Sequence, residues 1–264
     1  MNIAELTRII EKRAPLSLQA EWDNSGWQLL GAGPKQEIGR VLVALEMTPA
    51  VAQEARDAGA EVVITHHPLI FGGLHKVDSN DVTGNMIYSL IRAGISVYAS
   101  HTPFDRCRGG NNDYLAALLH LQDVALIEAD EEGYLRVGYV DGECDIAEYT
   151  QQLVSWLGLD RRSLRFCGDA GQPAAKIAVC TGAGGDFIYA AHQAGCDLFI
   201  TGDLKYHTAQ TAKALGLNVL DIGHYGSEKI FTDNMCAYLR TAIADGSCEI
   251  IASALNLDPF DQLF

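Results

Sequence analysis

The sequence has no C-x-x-C pair, and its seven cysteines make an odd number. That argues against a disulfide framework or a thiolate zinc site, and for reduced, mostly buried thiols. Basic residues are scarce: 19 Lys and Arg stand against 34 Asp and Glu, a net charge of −15. A grip on phosphate backbones needs a basic face, so nucleic acid is not an expected partner. The acidic excess reads first as solubility, with a minority of carboxylates left for a metal. No apolar run approaches the ~18–20 residues of a membrane helix, so no membrane partner is expected. A basic stretch leading into an apolar core is also missing from the start. "MNIAELTRIIEKRAP" reads as an amphipathic helix with Ile3, Leu6, Ile9 and Ile10 on one face. A cytoplasmic location is expected.

What remains is an ordinary globular composition, 48 % hydrophobic and 20 % charged over 264 residues. Strand and helix patterns alternate. "RVLVALE" (40–46), "EVVIT" (61–65) and "ISVYAS" (95–100) read as strands, separated by helices that end near Gly59 and Gly94. The order recurs with "AKIAVCTG" (175–182), "DLFIT" (197–201) and "LNVLDIG" (217–223). "AGAEVVIT" at 58 matches "AGCDLFIT" at 194, an offset of 136 residues. Further on, "ISVYASHTPFD" aligns with "LNVLDIGHYGSE" with one inserted residue, so that His101 falls on His224 and Asp105 on Glu228. The expected fold is therefore α/β: two pseudo-repeated strand–helix–strand units with mainly parallel sheets. The first half is placed at 1–122 and the second at 123–264, interlinked rather than independent. Ligands of such sheets collect beyond the carboxyl ends of the strands, here in a shared cleft.

That is where the chemistry-bearing residues cluster. His66 and His67 end the strand "EVVIT", and Pro68 takes the chain out of the sheet. Adjacent side chains on a regular strand point apart, so only such an exit lets both imidazoles converge. His101 and Asp105 follow one strand, and His224 and Glu228 follow its counterpart. Four imidazoles and two carboxylates suit two divalent ions of Zn, Fe, Mn, Co or Ni. Each His-x-x-x-carboxylate pair taken alone also admits a helix-capping role, a reading that weakens once all three strand ends are taken together. "TGDLKYH" (201–207) occupies the place of "THHPLIF", which makes Asp203, Lys205 and His207 candidates for supporting or substrate-binding roles. The glycines at 182–185 form a turn that is more readily a tight bend than a phosphate cradle. His75, His120 and His192 lack partner spacing. "EWDNSGW" (21–27) is polar and aromatic and is able to line a pocket, though Trp22 and Trp27 are more often packing residues.

With "WDNSGWQLL", "ITHHPLIF", "SHTPFD", "TGDLKYH" and "GHYGSE" in this order, the chain resembles the NIF-three-like dinuclear metal-centre family. Its members are commonly called GTP cyclohydrolase I type 2 homologues. The resemblance implies His66, His67, Asp105, His224 and Glu228 as metal ligands, with Glu228 as the bridge and His101 in or against the ligand shell. It also implies a homohexameric ring. Glu46 stands where the family pattern has aspartate. Two functions follow as expectations. One is a metal-dependent hydrolase acting on a small nucleotide-like molecule, with His101 transferring a proton and phosphoester hydrolysis as its nearest rival. The other is a non-catalytic metal-binding or regulatory scaffold. A fold alone decides between neither.

Overall fold

The apolar runs become short strands whose two faces are both covered by helices. A computed structural model describes residues 1–31, 37–244 and 246–261. Two units are present. The first comprises Met1–Arg108 and Phe231–Leu257, and the second Gly109–Ile230 with the stretch from Asp258.

The first unit opens with α1 (Ile3–Arg13), where Asn2 and Glu5 exchange the two hydrogen bonds of a capping box. Then come β1 (Gly26–Leu29), β2 (Arg40–Ala44), α2 (Pro49–Asp57), β3 (Val62–Thr65), α3 (Val82–Ala93), β4 (Ser96–Ala99) and α4 (Thr102–Arg106). Thr48 caps α2 ahead of Pro49, and Gly94 ends α3 in a left-handed turn. The second unit holds α5 (Asn111–Leu118), β5 (Gln122–Ala125), β6 (Arg136–Tyr139), α6 (Ile146–Leu157), β7 (Arg165–Cys167) and β8 (Lys176–Val179). It continues through α7 (Ile188–Gln193), β9 (Leu198–Thr201), α8 (Tyr206–Leu215), β10 (Asn218–Asp221) and α9 (His224–Glu228). The chain then runs through α10 (Ile230–Ala242) to β11 (Glu249–Ala252).

The expected division at 122/123 is replaced by one near 108, with a return at 231. The cause is β11. It pairs in parallel with β2, Ile250 opposite Val41, and so completes the first sheet in the order β1-β4-β3-β2-β11. Tyr238 of α10 fastens the same unit, since its hydroxyl donates to Ile9 O at 2.6 Å and Arg13 stacks on its ring. The first sheet is parallel except for β1 on its edge. The second, in the order β5-β6-β8-β9-β10-β7, is mixed rather than mainly parallel: only β8, β9 and β10 run together, and β5, β6 and β7 are antiparallel to their neighbours.

Strands β2, β3 and β4 of the first unit are repeated in register by β8, β9 and β10 of the second. Val41 faces Val62, and 136 residues later Ile177 faces Leu198. The ties at the strand starts repeat too. Glu61 accepts the N–H groups of Gly39 and Arg40, and Asp197 accepts those of Ala175 and Lys176. The side chain of Arg40 donates to Ala58 O, and that of Lys176 to Ala194 O. Alternating residues fill opposite faces. Ile177, Val179, Leu198 and Ile200 pack with α5 and α6, whereas Ala178, Cys180 and Phe199 pack with α7 and α8. Each fully buried Leu or Ile contributes about 1.5–3 kcal/mol. The strand ends are thereby held rigidly, and the loops beyond them are free to carry chemistry.

Candidate functional site

In the first unit the chain leaves β3 through a tight bend. The N–H groups of His66 and His67 both donate to Leu45 O at 3.1 Å, and Thr65 Oγ1 donates to His67 O at 2.7 Å. The bend brings the two neighbouring rings to one side, with centroids 5.1 Å apart. His101, after β4, stands 5.1 Å from His66 and 5.5 Å from His67. These three histidines offer ligand atoms that all lie within 4.8 Å of one another.

Which nitrogen each ring offers is set by what holds the other. Nδ1 of His66 lies 2.9 Å from Ser100 O. A carbonyl only accepts, so Nδ1 carries the proton and the neutral ring presents the lone pair of Nε2. Nδ1 of His101 is held at 2.8 Å by Asp23 Oδ1. Nδ1 of His67 lies 3.7 Å from Glu46 Oε2, so the carboxylate that departs from the family pattern faces this ring. Asp105, buried on α4, places Oδ1 3.5 Å from His66 Nε2. Two ligands at ~2.0–2.1 Å from one tetrahedral ion are about 3.3 Å apart, so the spacing of this pair fits a shared divalent ion.

Asp23 belongs to the loop "EWDNSGW" and is buried. Its oxygens accept from His101 Nδ1, Asn24 N, Ser25 Oγ, and both the N–H and the hydroxyl of Thr102. Burial by itself pushes this carboxyl up, but the hydrogen bonds from His101, Thr102 and Ser25 hold it far below the usual carboxylate range. It is therefore a fixed anion behind the imidazole. Nothing in the spacing of the sequence marks it. The only signal is a carboxylate inside a W-D-N-S-G loop.

The second unit repeats the device with other parts. His224 starts α9, and Glu228 lies one turn on, with Nε2 and Oε2 2.9 Å apart. Nδ1 of His224 is held at 2.8 Å by Asp203 Oδ2. Asp203 adopts a left-handed backbone, φ 50°, which aims its carboxylate at the ring. Buried Asp221 secures both flanks, accepting the N–H of Leu204 and that of Gly223, while Arg165 pairs with it from outside. Gly182 has a role of its own. A Cβ there would sit 2.3 Å from Glu228 Oε1 and 3.5 Å from His224 Nε2. The glycine turn is thus a clearance for a carboxylate and an imidazole, not a phosphate cradle.

All six expected strand-end residues thus fall into two groups: His66, His67, His101 and Asp105 in one unit, His224 and Glu228 in the other. Asp203 joins the second group. Lys205 and His207 lie exposed at the start of α8, where the His207 ring packs on Tyr206. His75, His120 and His192 are exposed, and His120 packs edge-on against Trp156. The seven cysteines are free thiols. Burial pushes Cys196 and Cys236 up to about 11, which makes them inert packing groups. No helix among the described residues is long and apolar enough to cross a membrane.

Comparison with known proteins identifies the family and the fold. The model of the Duf34/NIF3 family, NGG1p interacting factor 3, matches residues 1–259. A Clostridium perfringens protein named GTP cyclohydrolase 1 type 2 homolog is 35 % identical over 265 residues, covering 99 % of each chain. A Lactococcus lactis protein of the same name is 35 % identical over 98 % of this chain and 99 % of its own. The crystal structure of Staphylococcus aureus protein SA1388 superposes with a TM-score of 0.91 at 28 % identity, covering 100 % of this chain and 99 % of that one.

Proposed function

The chain belongs to the Duf34/NIF3 family, and on that footing we propose that it is a metal-dependent hydrolase of small nucleotide-like substrates. His66, His67, Asp105, His224 and Glu228 would be its metal ligands, for two divalent transition-metal ions. One observation carries the reading. Three of the four strand-end imidazoles have Nδ1 tied to an acceptor within 2.9 Å, so each presents Nε2. Metal-ligating histidines are oriented in this way by their outer partners. Neutral imidazoles mixed with carboxylates suit Zn, Fe, Mn, Co or Ni.

With divalent ions bound, these residues would hold a metal-activated water near neutral pH and a Lewis acid for the bond to be cleaved. The protein's own contribution is positional. Asp23 keeps the His101 Nδ1 proton in place, which leaves Nε2 to take a proton from water and return it to the leaving group. The names carried by the relatives support cyclohydrolase-like ring opening as the reaction. The same proposal includes self-association into a homohexameric ring, to be read by native mass spectrometry.

The test is turnover. Metal-replete protein is assayed on guanine nucleotides and phosphoesters beside His67→Ala. Ring-opened product from the wild type, reduced at least ~100-fold in the variant, is expected. Equal turnover in both overturns the hydrolase. Two bound ions with no turnover on any substrate would favour the metal-binding scaffold instead.

A further inference from the structure

Two large aromatic rings stand exposed beside the imidazole cluster of the first unit, and the mechanism above uses neither. Trp22 is 59 % exposed and Phe71 60 %. Their ring centroids are 6.2 Å apart at 60°. Both also stand edge-on to His101, at 5.6 and 6.4 Å. Leaving two such rings in water forgoes the gain that burial gives an aromatic side chain. The two loops that carry them are tied together beside the rings. Asn24 Nδ2 donates to Ile70 O at 2.7 Å, and Ile70 N donates to Gln28 Oε1 at 3.1 Å. Gln28 Nε2 closes the knot by donating to Asn24 O. The W-D-N run thus does three things in succession. Trp22 presents a ring, Asp23 fixes His101, and Asn24 pins the loop that carries Phe71.

We propose that Trp22 and Phe71 form a stacking seat for the planar heteroaromatic ring of the substrate, a nucleobase or a ring of similar size. The inference rests on the hydrolase reading and deepens it by naming the part of the substrate that is gripped. A flat ring stacked on one of these faces turns its edge toward the other, the arrangement aromatic pairs prefer. Its polar rim then meets the His101 side of the cluster. A sugar phosphate has no such face. A quaternary ammonium group has no rim to bring to the imidazoles.

Guanosine, guanosine monophosphate, ribose 5-phosphate and choline are titrated into full-length, metal-replete protein by calorimetry and tryptophan fluorescence. Guanosine and its monophosphate should bind alike and quench fluorescence, with ribose 5-phosphate and choline at least ~tenfold weaker. Trp22→Ala should weaken guanosine about tenfold or more and remove the quenching, Trp22→Phe should restore most of the affinity, and Phe71→Ala should weaken it less. Metal content and thermal unfolding should match the wild type in all three variants. Guanosine binding unchanged in Trp22→Ala overturns the seat, as does ribose 5-phosphate or choline binding as tightly as guanosine. The two readings fail separately. Guanosine held by Trp22 in a protein with no metal and no turnover sinks the hydrolase alone. Metal and turnover without guanosine binding sink the seat alone.

Discussion

His101 and His224 fill the same place in two copies of one unit, and a carboxylate grips Nδ1 of each at 2.8 Å. The two carboxylates have different origins. Asp23 comes from a loop before β1 and is buried among hydrogen-bond donors. Asp203 comes from the end of β9, at the position that His67 holds in the first copy, and its side chain is 55 % exposed. The neighbouring position explains why the second copy has no histidine pair. A Cβ on Gly202 would lie 2.7 Å from the backbone of Gly223, so the place of His66 is filled by main chain. The duplication therefore preserves the orientation of an imidazole and not the residue that provides it. One copy spends its strand end on two imidazoles and borrows a carboxylate from elsewhere. The other supplies the carboxylate itself.

The largest expected effect follows from the difference in burial. Asp23→Ala strands several buried donors and should cost about 3–5 kcal/mol of stability in urea denaturation. Asp203→Ala, at an exposed pair, should stay within ~1 kcal/mol. Equal losses would break the comparison. Next is Gly202→Ala, which has to shift main chain and should cost about 1–3 kcal/mol by the same measurement. A neutral result there would mean that the Gly223 backbone is not what excludes a histidine.

Asp203→Ala should then separate orientation from stability. Metal affinity, read by competition with a chelator, should fall ~10–100-fold while the unfolding midpoint hardly moves. The smallest effect belongs to Glu46→Asp, which restores the family residue. Stability should change by less than ~0.5 kcal/mol, as expected for a half-exposed side chain. Any change in metal affinity should then be lost in the background of His67→Ala, which removes the ring that Glu46 faces.

The strands and the duplication were legible because buried parallel strands are short apolar runs, and the matched runs at 58 and 194 kept their spacing. The histidines were legible because Pro68 and the strand ends mark where side chains leave a sheet. The edge strands β1 and β7 were not. β7 is three residues with no apolar periodicity, and β1 begins at a glycine with φ 104°. The run at 248–255 reads as a strand, but the partner of a strand is set by distant packing. Nothing local sends β11 back to β2. Asp23 was hidden for the same reason, since its partners His101 and Thr102 are remote in the chain. Gly182 was half legible: it makes the expected turn, with φ 66°, but its clearance for the Glu228 carboxylate depends on a residue remote in the chain.

The account turns on histidines oriented to give Nε2 to metal. Metal per chain, quantified by inductively coupled plasma mass spectrometry on metal-replete wild type and His224→Ala, tests it most directly. Two divalent ions per wild-type chain and a clear loss in the variant are predicted. Fewer than one ion in the wild type, or an unchanged count in the variant, would contradict it.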